Sequence, residues 1–378
     1  MADIAANEKQ DMISSSEPDT AVTQRKNKSK KSKKKIIRIC VIAFVLLTLI
    51  VTQTVTHILL NDNFSRGEYS KYTTNYRYDH YEKDYPRKNV SFKSGENLLQ
   101  GYIYGNDNDK GLLVFAHGIG GGHEGYMPFI TYMVDKGWRV FAYDATGSCT
   151  SEGDGTNGLP QSALDLDNAL TYIESDSELS KLPVFLAGHS WGGYAVTAVL
   201  NFDHDIKASA SISGYAYPID MIMETADGMM GKVSYLLYPF IWTDCFARFS
   251  SKVNMSAVDG INSSDVPVMI IHGKKDTVIG YDRSSIISKK DEIVNENVEY
   301  YSIDDKYSGH NSIFHSEQTN DYLTQLNKEY DKLAEKYKDG KLPDGERKKF
   351  FDGVDRELAN QPNEKLFDDI NSFFESHL

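Results

Sequence analysis

The sequence predicts an α/β protein, an eight-stranded and mostly parallel sheet with a helical cap insertion, preceded by one transmembrane helix. Three observations lead there. Short β-branched or apolar runs alternate with helical patterns from residue 89 onward. A segment of about 45 residues, 218–262, interrupts that alternation where a short connection would suffice. Near the amino terminus a block of lysines runs directly into an apolar stretch.

The 378 residues are 40% hydrophobic and 25% charged, with 28 Gly and 10 Pro, which excludes wholesale disorder, a collagen-like chain and a polytopic transporter. Charge is unevenly spread. Residues 1–38 hold 10 Lys or Arg against 5 Asp or Glu, whereas the rest holds 31 against 49. A body that acidic repels phosphate backbones, so no nucleic-acid partner is expected. Cys40, Cys149 and Cys245 cannot form a disulfide framework, and no cluster has zinc-site spacing, so neither a metal nor another cofactor is expected.

Residues 1–35 read as a disordered basic cytoplasmic tail, polar and without periodicity, ending in a run from Arg25 to Lys35 that Arg38 extends. Residues 36–60 read as a transmembrane signal anchor. The 22 residues from 39 to 60 extend about 33 Å as a helix, enough for a hydrocarbon core of about 30 Å. Thr52, Gln53, Thr54, Thr56 and His57 dilute its second half, which leaves a cleaved signal peptide with its apolar region at 39–51 as the alternative. No small-x-small cleavage site follows. The cationic flank places the amino terminus in the cytoplasm and the rest outside the cell membrane. Residues 61–88, with Tyr69, Tyr72, Tyr76, Tyr78, Tyr81 and Tyr85, read as a stalk lying against headgroups or the domain base. A ligand-binding tyrosine cluster is the alternative.

The body, residues 89–378, carries candidate strands at 90–92, 99–104, 112–116, 139–143, 184–187, 208–213, 268–271 and 298–302. The first two flank Lys-Ser-Gly-Glu-Asn at 93–97 and form a hairpin, so the sheet starts antiparallel. Helices are expected at about 126–135, 161–174, 192–200 and 284–294. The cap at 218–262 holds Met221, Met223, Met229, Met230 and Met255 among Tyr235, Tyr238, Phe240, Trp242 and Phe246. Flexible thioethers beside aromatics suit an adaptable wall for an acyl chain, though the same residues also serve to pack the cap down. Extra carboxyl-terminal helices at about 320–378 follow from apolar spacings at Leu323, Leu326, Tyr330, Leu333 and Tyr337, at Phe350 to Leu358, and at Leu366 to Phe374; they are expected to cover the sheet.

After the fifth strand stands Gly188-His189-Ser190-Trp191-Gly192, a Gly-x-Ser-x-Gly string opening a small-residue helix. A strand-turn-helix so tight excludes side chains at Gly188 and Gly192 and pushes Ser190 into solvent at a helix amino terminus. A serine hydroxyl needs a base to take its proton, and the base needs an acid to fix its tautomer. Asp276 follows the seventh strand and His310 the eighth, both at carboxyl ends of strands, where open α/β sheets gather ligands. Asp220 is a rival acid and His315 a rival base. The tetrahedral intermediate needs two N–H donors, expected from the main chain of Trp191 and of Ile119, the latter in His117-Gly118-Ile119-Gly120.

On these motifs the chain resembles the α/β-hydrolase superfamily, in particular serine-aminopeptidase-like and monoacylglycerol-lipase-like hydrolases of bacterial surfaces. The resemblance covers residues 89–378. It implies that Asp144, Gly147 and Ser151 buttress the site after the fourth strand, with Cys149 a departure from the pattern. It also implies a substrate class other than that of proline iminopeptidases, which carry Gly where His189 stands. The expected function is a membrane-anchored, cofactor-free serine hydrolase that cleaves an acyl ester, lipid-derived or small, through Ser190, His310 and Asp276. A peptidase, amidase or acyltransferase shares that machinery, and a catalytically inactive surface binding module is the alternative of another class.

Overall fold

The computed structural model describes residues 19–338 and 340–378. They fall into two units, residues up to Val55 and Thr56–Leu378. In order the elements are α1 (Asp19–Asn63), α2 (Tyr78–Tyr81), β1 (Arg87–Ser94), β2 (Asn97–Tyr104), β3 (Leu112–Ala116), α3 (Met127–Asp135), β4 (Arg139–Asp144), α4 (Gln161–Ser175), β5 (Val184–His189) and α5 (Trp191–Ala198). Then come β6 (Ile206–Ile212), α6 (Pro218–Met230), α7 (Tyr238–Phe249), α8 (Ala257–Asn262), β7 (Val268–Gly273), β8 (Val298–Ile303), α9 (Glu317–Ala334), α10 (Asp344–Asp352), α11 (Arg356–Ala359) and α12 (Glu364–Glu375).

In the first unit α1 is long and apolar enough to cross a membrane by length and composition. Its apolar side chains are not packed in protein: Phe44 is 70% and Ile50 64% exposed. The threonines that dilute the stretch satisfy themselves, with Thr48, Thr52 and Thr54 each donating to the carbonyl four residues back at 2.9 Å. The tail expected to be disordered over 1–35 is helical from Asp19, and residues 1–18 lie outside the described residues. Lysine is a good helix former, so a helix nucleated in the apolar stretch propagates back into the basic run.

The second unit is built on one sheet of order β1-β2-β4-β3-β5-β6-β7-β8. β1/β2 and β2/β4 are antiparallel and every other pair is parallel. The eight expected strands are all present. The hairpin turn at Gly95 adopts φ 57°, which a side chain resists. Alternation along β3 sends Leu112, Val114 and Ala116 to one face and Leu113 and Phe115 to the other. The first face packs against α4, α5, α8 and the cap. The second packs against α3 and α12, where Trp138 meets Phe185 at 4.9 Å and Phe374 at 5.9 Å. Its indole N–H donates to Asn371 at 2.8 Å, so the buried polar end is satisfied. Each such fully buried aromatic stabilises the fold by roughly 1.5–3 kcal/mol.

Two expectations give way. The helix at 284–294 is only a short 3₁₀ stretch, Ile287–Glu292, because Ser285 and Ser288 hydroxyls bond nearby carbonyls and compete with the helical ladder. Of the carboxyl-terminal helices, α12 covers the sheet, whereas α9, α10 and α11 close a separate small core around Leu326, Val354 and Ala359. The helix expected from Phe350 breaks at Gly353, and a new one is capped by the Asp355 carboxylate, which accepts the Leu358 N–H at 3.0 Å.

The tyrosine-rich stretch at 61–88, expected to lie against headgroups or the domain base, is an arm laid along the domain. Leu60 and Phe64 enter the main core, and Gly67 pairs with Ser148 and Ser65 with Gly155. Tyr78, Tyr81 and Tyr85 pack against the other core. Tyr72 donates to the Asp344 carbonyl at 3.2 Å and Tyr76 to Glu357 at 3.0 Å, locking the arm to α10 and α11. A tyrosine buries its ring while keeping its hydroxyl bonded, which suits such a strap.

Candidate active site

β5 delivers the chain to Ser190 with φ 57° and ψ −113°, a strained conformation for a residue with a side chain. Close packing fixes the neighbours. A Cβ on Gly188 would lie 2.3 Å from the Gly192 carbonyl oxygen, and one on Gly192 would lie 2.0 Å from that of Ala116. The Ser190 N–H donates to Ile212 at 2.8 Å, pinning the turn to β6. Ser190 is 8% exposed, so it is recessed and does not project into solvent as expected.

Asp276 and His310 come together. His310 Nδ1 donates to Asp276 Oδ2 at 2.7 Å, and Asp276 Oδ1 accepts the N–H groups of Val278 and Ile279 at 2.8 and 2.9 Å. Burial alone would raise the Asp276 carboxyl, but the histidine and main-chain donors outweigh it and hold it well below the usual carboxylate range. The rivals sit elsewhere. Asp220 is exposed in the first turn of α6, and His315, in the turn before α9, makes no hydrogen bond to Asp276 although it lines the neighbouring cavity. Ser190 and His310 form no hydrogen bond with each other; resting sites often tighten only around substrate.

The loop after β3 passes beside the nucleophile: a Cβ on Gly118 would lie 3.5 Å from that of Ser190. Among the described residues, neither the Ile119 nor the Trp191 N–H donates to another protein group, so both remain available to a ligand oxygen. The Trp191 indole points inward and donates to the Leu159 carbonyl at 2.8 Å. Beyond this loop opens a cavity of about 450 Å³, lined by Gly118–Gly122, Tyr126 just before α3, Phe129 within it, Phe314, Phe367 and arm residues from Glu68 to Arg77. Met229 and Met230 do not line it; they are 71% and 46% exposed on the outer surface of the cap. Of the five cap methionines, Met223 and Met255 instead pack into the main core, the other role read for them from the sequence.

Sequence reasoning missed three histidines. His189 Nε2 lies 3.0 Å from the His310 carbonyl and must donate there, which leaves Nδ1 to accept the Tyr126 hydroxyl at 2.8 Å. The Tyr126 oxygen in turn accepts the Gly118 N–H at 3.1 Å. Burial first, and neighbouring His310 second, keep His189 well below its ordinary value and so neutral. His272 Nε2 donates to Ile279 at 2.9 Å and lies 3.3 Å from Asp276 Oδ2. His117 links the loop to β4, bonding the Gly118 carbonyl at 2.7 Å and accepting the Ala145 N–H at 2.9 Å. For His189 the partners are remote in sequence, whereas His117 and His272 each bond a partner within seven residues, through turns that no periodicity marks.

The turn after β4 is a second polar centre beneath the loop. Asp144 accepts the His123 ring at 2.8 Å and N–H at 3.0 Å, and the Thr150 hydroxyl at 2.7 Å. Burial opposes its charge, yet His123 and these donors hold it well below the usual carboxylate range. Gly147 takes φ 67°, and a Cβ there would lie 2.2 Å from the Gly155 carbonyl. The Ser151 hydroxyl closes the turn on the Asp144 carbonyl. Cys149 is buried beside Asp144, and burial with that charge pushes its thiol up to about 12.

Comparison with known proteins agrees with this architecture. Residues 107–243 match the family model described as serine aminopeptidase, S33. The chain is 25% identical over 181 residues to the uncharacterized protein YfhR of Escherichia coli O157:H7, and 22% over 179 residues to that of Salmonella typhi. Those alignments span 47% of this chain and 57% and 58% of the relatives, so the chain covers little more than half their length. Among solved structures, the Pyrococcus furiosus esterase Pf2001 superposes with a TM-score of 0.51 at 18% identity, covering 70% of this chain and 95% of that one. Est1E of Butyrivibrio proteoclasticus reaches 0.47 at 17% identity, covering 64% and 97%. With its sheet order and its turn at Ser190, the chain has the α/β-hydrolase fold, and residues 107–243 within it resemble the serine aminopeptidase family.

Proposed function

We propose that the protein is a membrane-anchored serine hydrolase that cleaves acyl esters through an acyl-enzyme intermediate. The observation that carries this reading is the His310–Asp276 hydrogen bond of 2.7 Å, formed at the same sheet edge as the strained Ser190. With Nδ1 held by Asp276, Nε2 of His310 bears the free lone pair that takes the Ser190 proton as Oγ attacks the ester carbonyl. The oxyanion is held by the N–H groups of Ile119 and Trp191, the second of which also opens α5 and its dipole. Collapse breaks the C–O bond, and His310 returns the proton to the leaving alkoxide. Water, deprotonated by His310, then attacks the acyl enzyme and releases the acid and Ser190.

Asp276 stays ionised and orients His310 throughout, and neutral His189 adds no positive charge beside the imidazolium that forms. Of the 36–60 stretch, residues 36–55 serve as the membrane anchor, with the amino terminus cytoplasmic and the domain outside. Fluorophosphonate labelling tests the chemistry: labelling abolished in Ser190→Ala and reduced at least a hundredfold in rate by His310→Ala is the expected result. Undiminished labelling of Ser190→Ala overturns it. A panel of p-nitrophenyl esters set against aminoacyl anilides tests the bond, with turnover of anilides alone reassigning the enzyme as a peptidase. Carbonate-resistant sedimentation, lost on deleting residues 1–55, tests the anchor.

A further inference from the structure

The second unit begins at Thr56, within the stretch read as the anchor. Thr56 and Leu60 are 3% and 7% exposed, buried in the second unit, and this last part of α1 is fastened to the cap. His57 Nδ1 lies 2.6 Å from Asp244 Oδ1 on α7; Arg248 bonds Asp244 Oδ2 and Asn61 Oδ1, each at 2.7 Å, and Asn61 lies 3.0 Å from His57 Nε2. Asp244 is 5% exposed, so this is a built joint. The 61–88 stretch that would have held the body away from a bilayer is spent on strapping the domain.

The same cap presents a run of bare apolar side chains between α6 and α7. Met229, Val233, Tyr235 and Leu236 are 71%, 65%, 58% and 73% exposed, and Tyr238 opens α7, the helix that grips His57. Lys232 is the one charge in that run. Large apolar groups gathered on a surface mark a contact with something apolar. Carrying a single cation and no carboxylate, this run can meet a lipid surface without the repulsion that the acidic rest of the body would bring.

We propose that the 229–238 face of the cap rests in the headgroup and upper acyl region of the bilayer that α1 enters, so that the domain lies directly on the membrane. This rests on the anchor reading above.

The full chain is reconstituted in phosphatidylcholine vesicles whose acyl chains carry bromine near the headgroup, a short-range quencher of indole emission. Leu236→Trp and Met229→Trp add reporters at exposed positions, and Leu378→Trp adds one on the far side, beyond α12, whose Glu375 pairs with Lys110 near the start of β3. Trp138 and Trp191 are buried, and Trp242, half-buried on α7, is replaced by Phe in every sample, so the baseline is unquenched. The expected result is loss of the added emission at 236 and 229 and none at 378. Flotation of the chain with the vesicles and no quenching at 236 or 229 overturns cap docking while leaving the anchor intact. A chain that does not float overturns the anchor and the docking together. Equal quenching at 378 means the domain has no preferred face, which also overturns the proposal.

Discussion

His189 reaches past the nucleophile beside it in sequence and holds the main chain of His310, 121 residues away, with Nε2 at 3.0 Å from that carbonyl. Its other nitrogen accepts from Tyr126, whose oxygen accepts from Gly118, so one unbroken line of hydrogen bonds joins the base loop, the elbow and the loop that carries Ile119. Tyr126→Phe removes the middle link and leaves the Gly118 N–H and His189 Nδ1 without their partner. We expect a loss of about 1–3 kcal/mol in stability by denaturant titration. We also expect kcat for an activated ester to fall with KM little changed, since the loop loses its set position. An unaltered melting curve and rate would show that the line is incidental.

The elbow glycines give a sharper contrast. A methyl group on Gly192 meets a main-chain oxygen at 2.0 Å, which cannot yield without moving β3, so Gly192→Ala is expected to cost about 4 kcal/mol or more. A Cβ on Gly121, in the neighbouring loop, meets nothing within 4 Å. Gly121→Ala is therefore expected to leave the melting temperature within a degree or two of the parent protein, and differential scanning calorimetry on the two variants checks both outcomes.

How much of this was legible beforehand follows the range of the contacts. β5, the Ser190 turn and the glycines are local features, and period-2 patterning with the Gly-x-Ser-x-Gly spacing exposes them. Asp276 and His310 were reachable because each follows a strand, and the parallel order β5-β6-β7-β8 brings those strand ends to one edge. The arm was illegible. Tyr72 and Tyr76 find their partners at Asp344 and Glu357, more than 270 residues on, and a polar, tyrosine-rich stretch has no periodicity to reveal such docking. His272 and His123 look like any histidines until their carboxylates arrive by folding. The serine-rich 284–288 segment misled because its hydroxyls compete with the helix that its apolar spacing suggests.

Stability should fall with acid in two stages. His117 and His189 are buried with values lowered by desolvation, and protonation near 6.5 favours the unfolded chain, so their contribution is complete above that value and declines below it. Asp144 and Asp276 are depressed instead. Their contribution is present above the unfolded value of about 4 and is lost as pH falls toward the folded values. Asp144→Asn is expected to melt lower at pH 7 and to lose part of the slope below about pH 4, leaving the stage near 6.5 in place. Thermal melts from pH 8 to 3 on both proteins distinguish this from a uniform destabilisation.

Cys149 departs from the pattern its neighbours follow, and its setting says how it behaves. The thiol sits where a Cβ on Gly122 would lie 2.8 Å from its sulfur, walled in beside Asp144, and it is pushed up to about 12; Cys245 on α7 is pushed up to about 11 by burial and the Asp244 charge. The thiolate is the reactive form, so neither residue should react at neutral pH while the domain is folded. Maleimide at pH 7.5 is expected to leave both unmodified in the native protein and to modify both after denaturation, read as two added masses on the intact chain relative to the native sample. Because Cys149 lies beneath the loop that carries Ile119, any condition that exposes it also disturbs that loop. Labelling of Cys149 should therefore rise in parallel with loss of ester turnover during partial denaturation, and Cys149 reactivity in a fully active sample would show that the loop is not held from below.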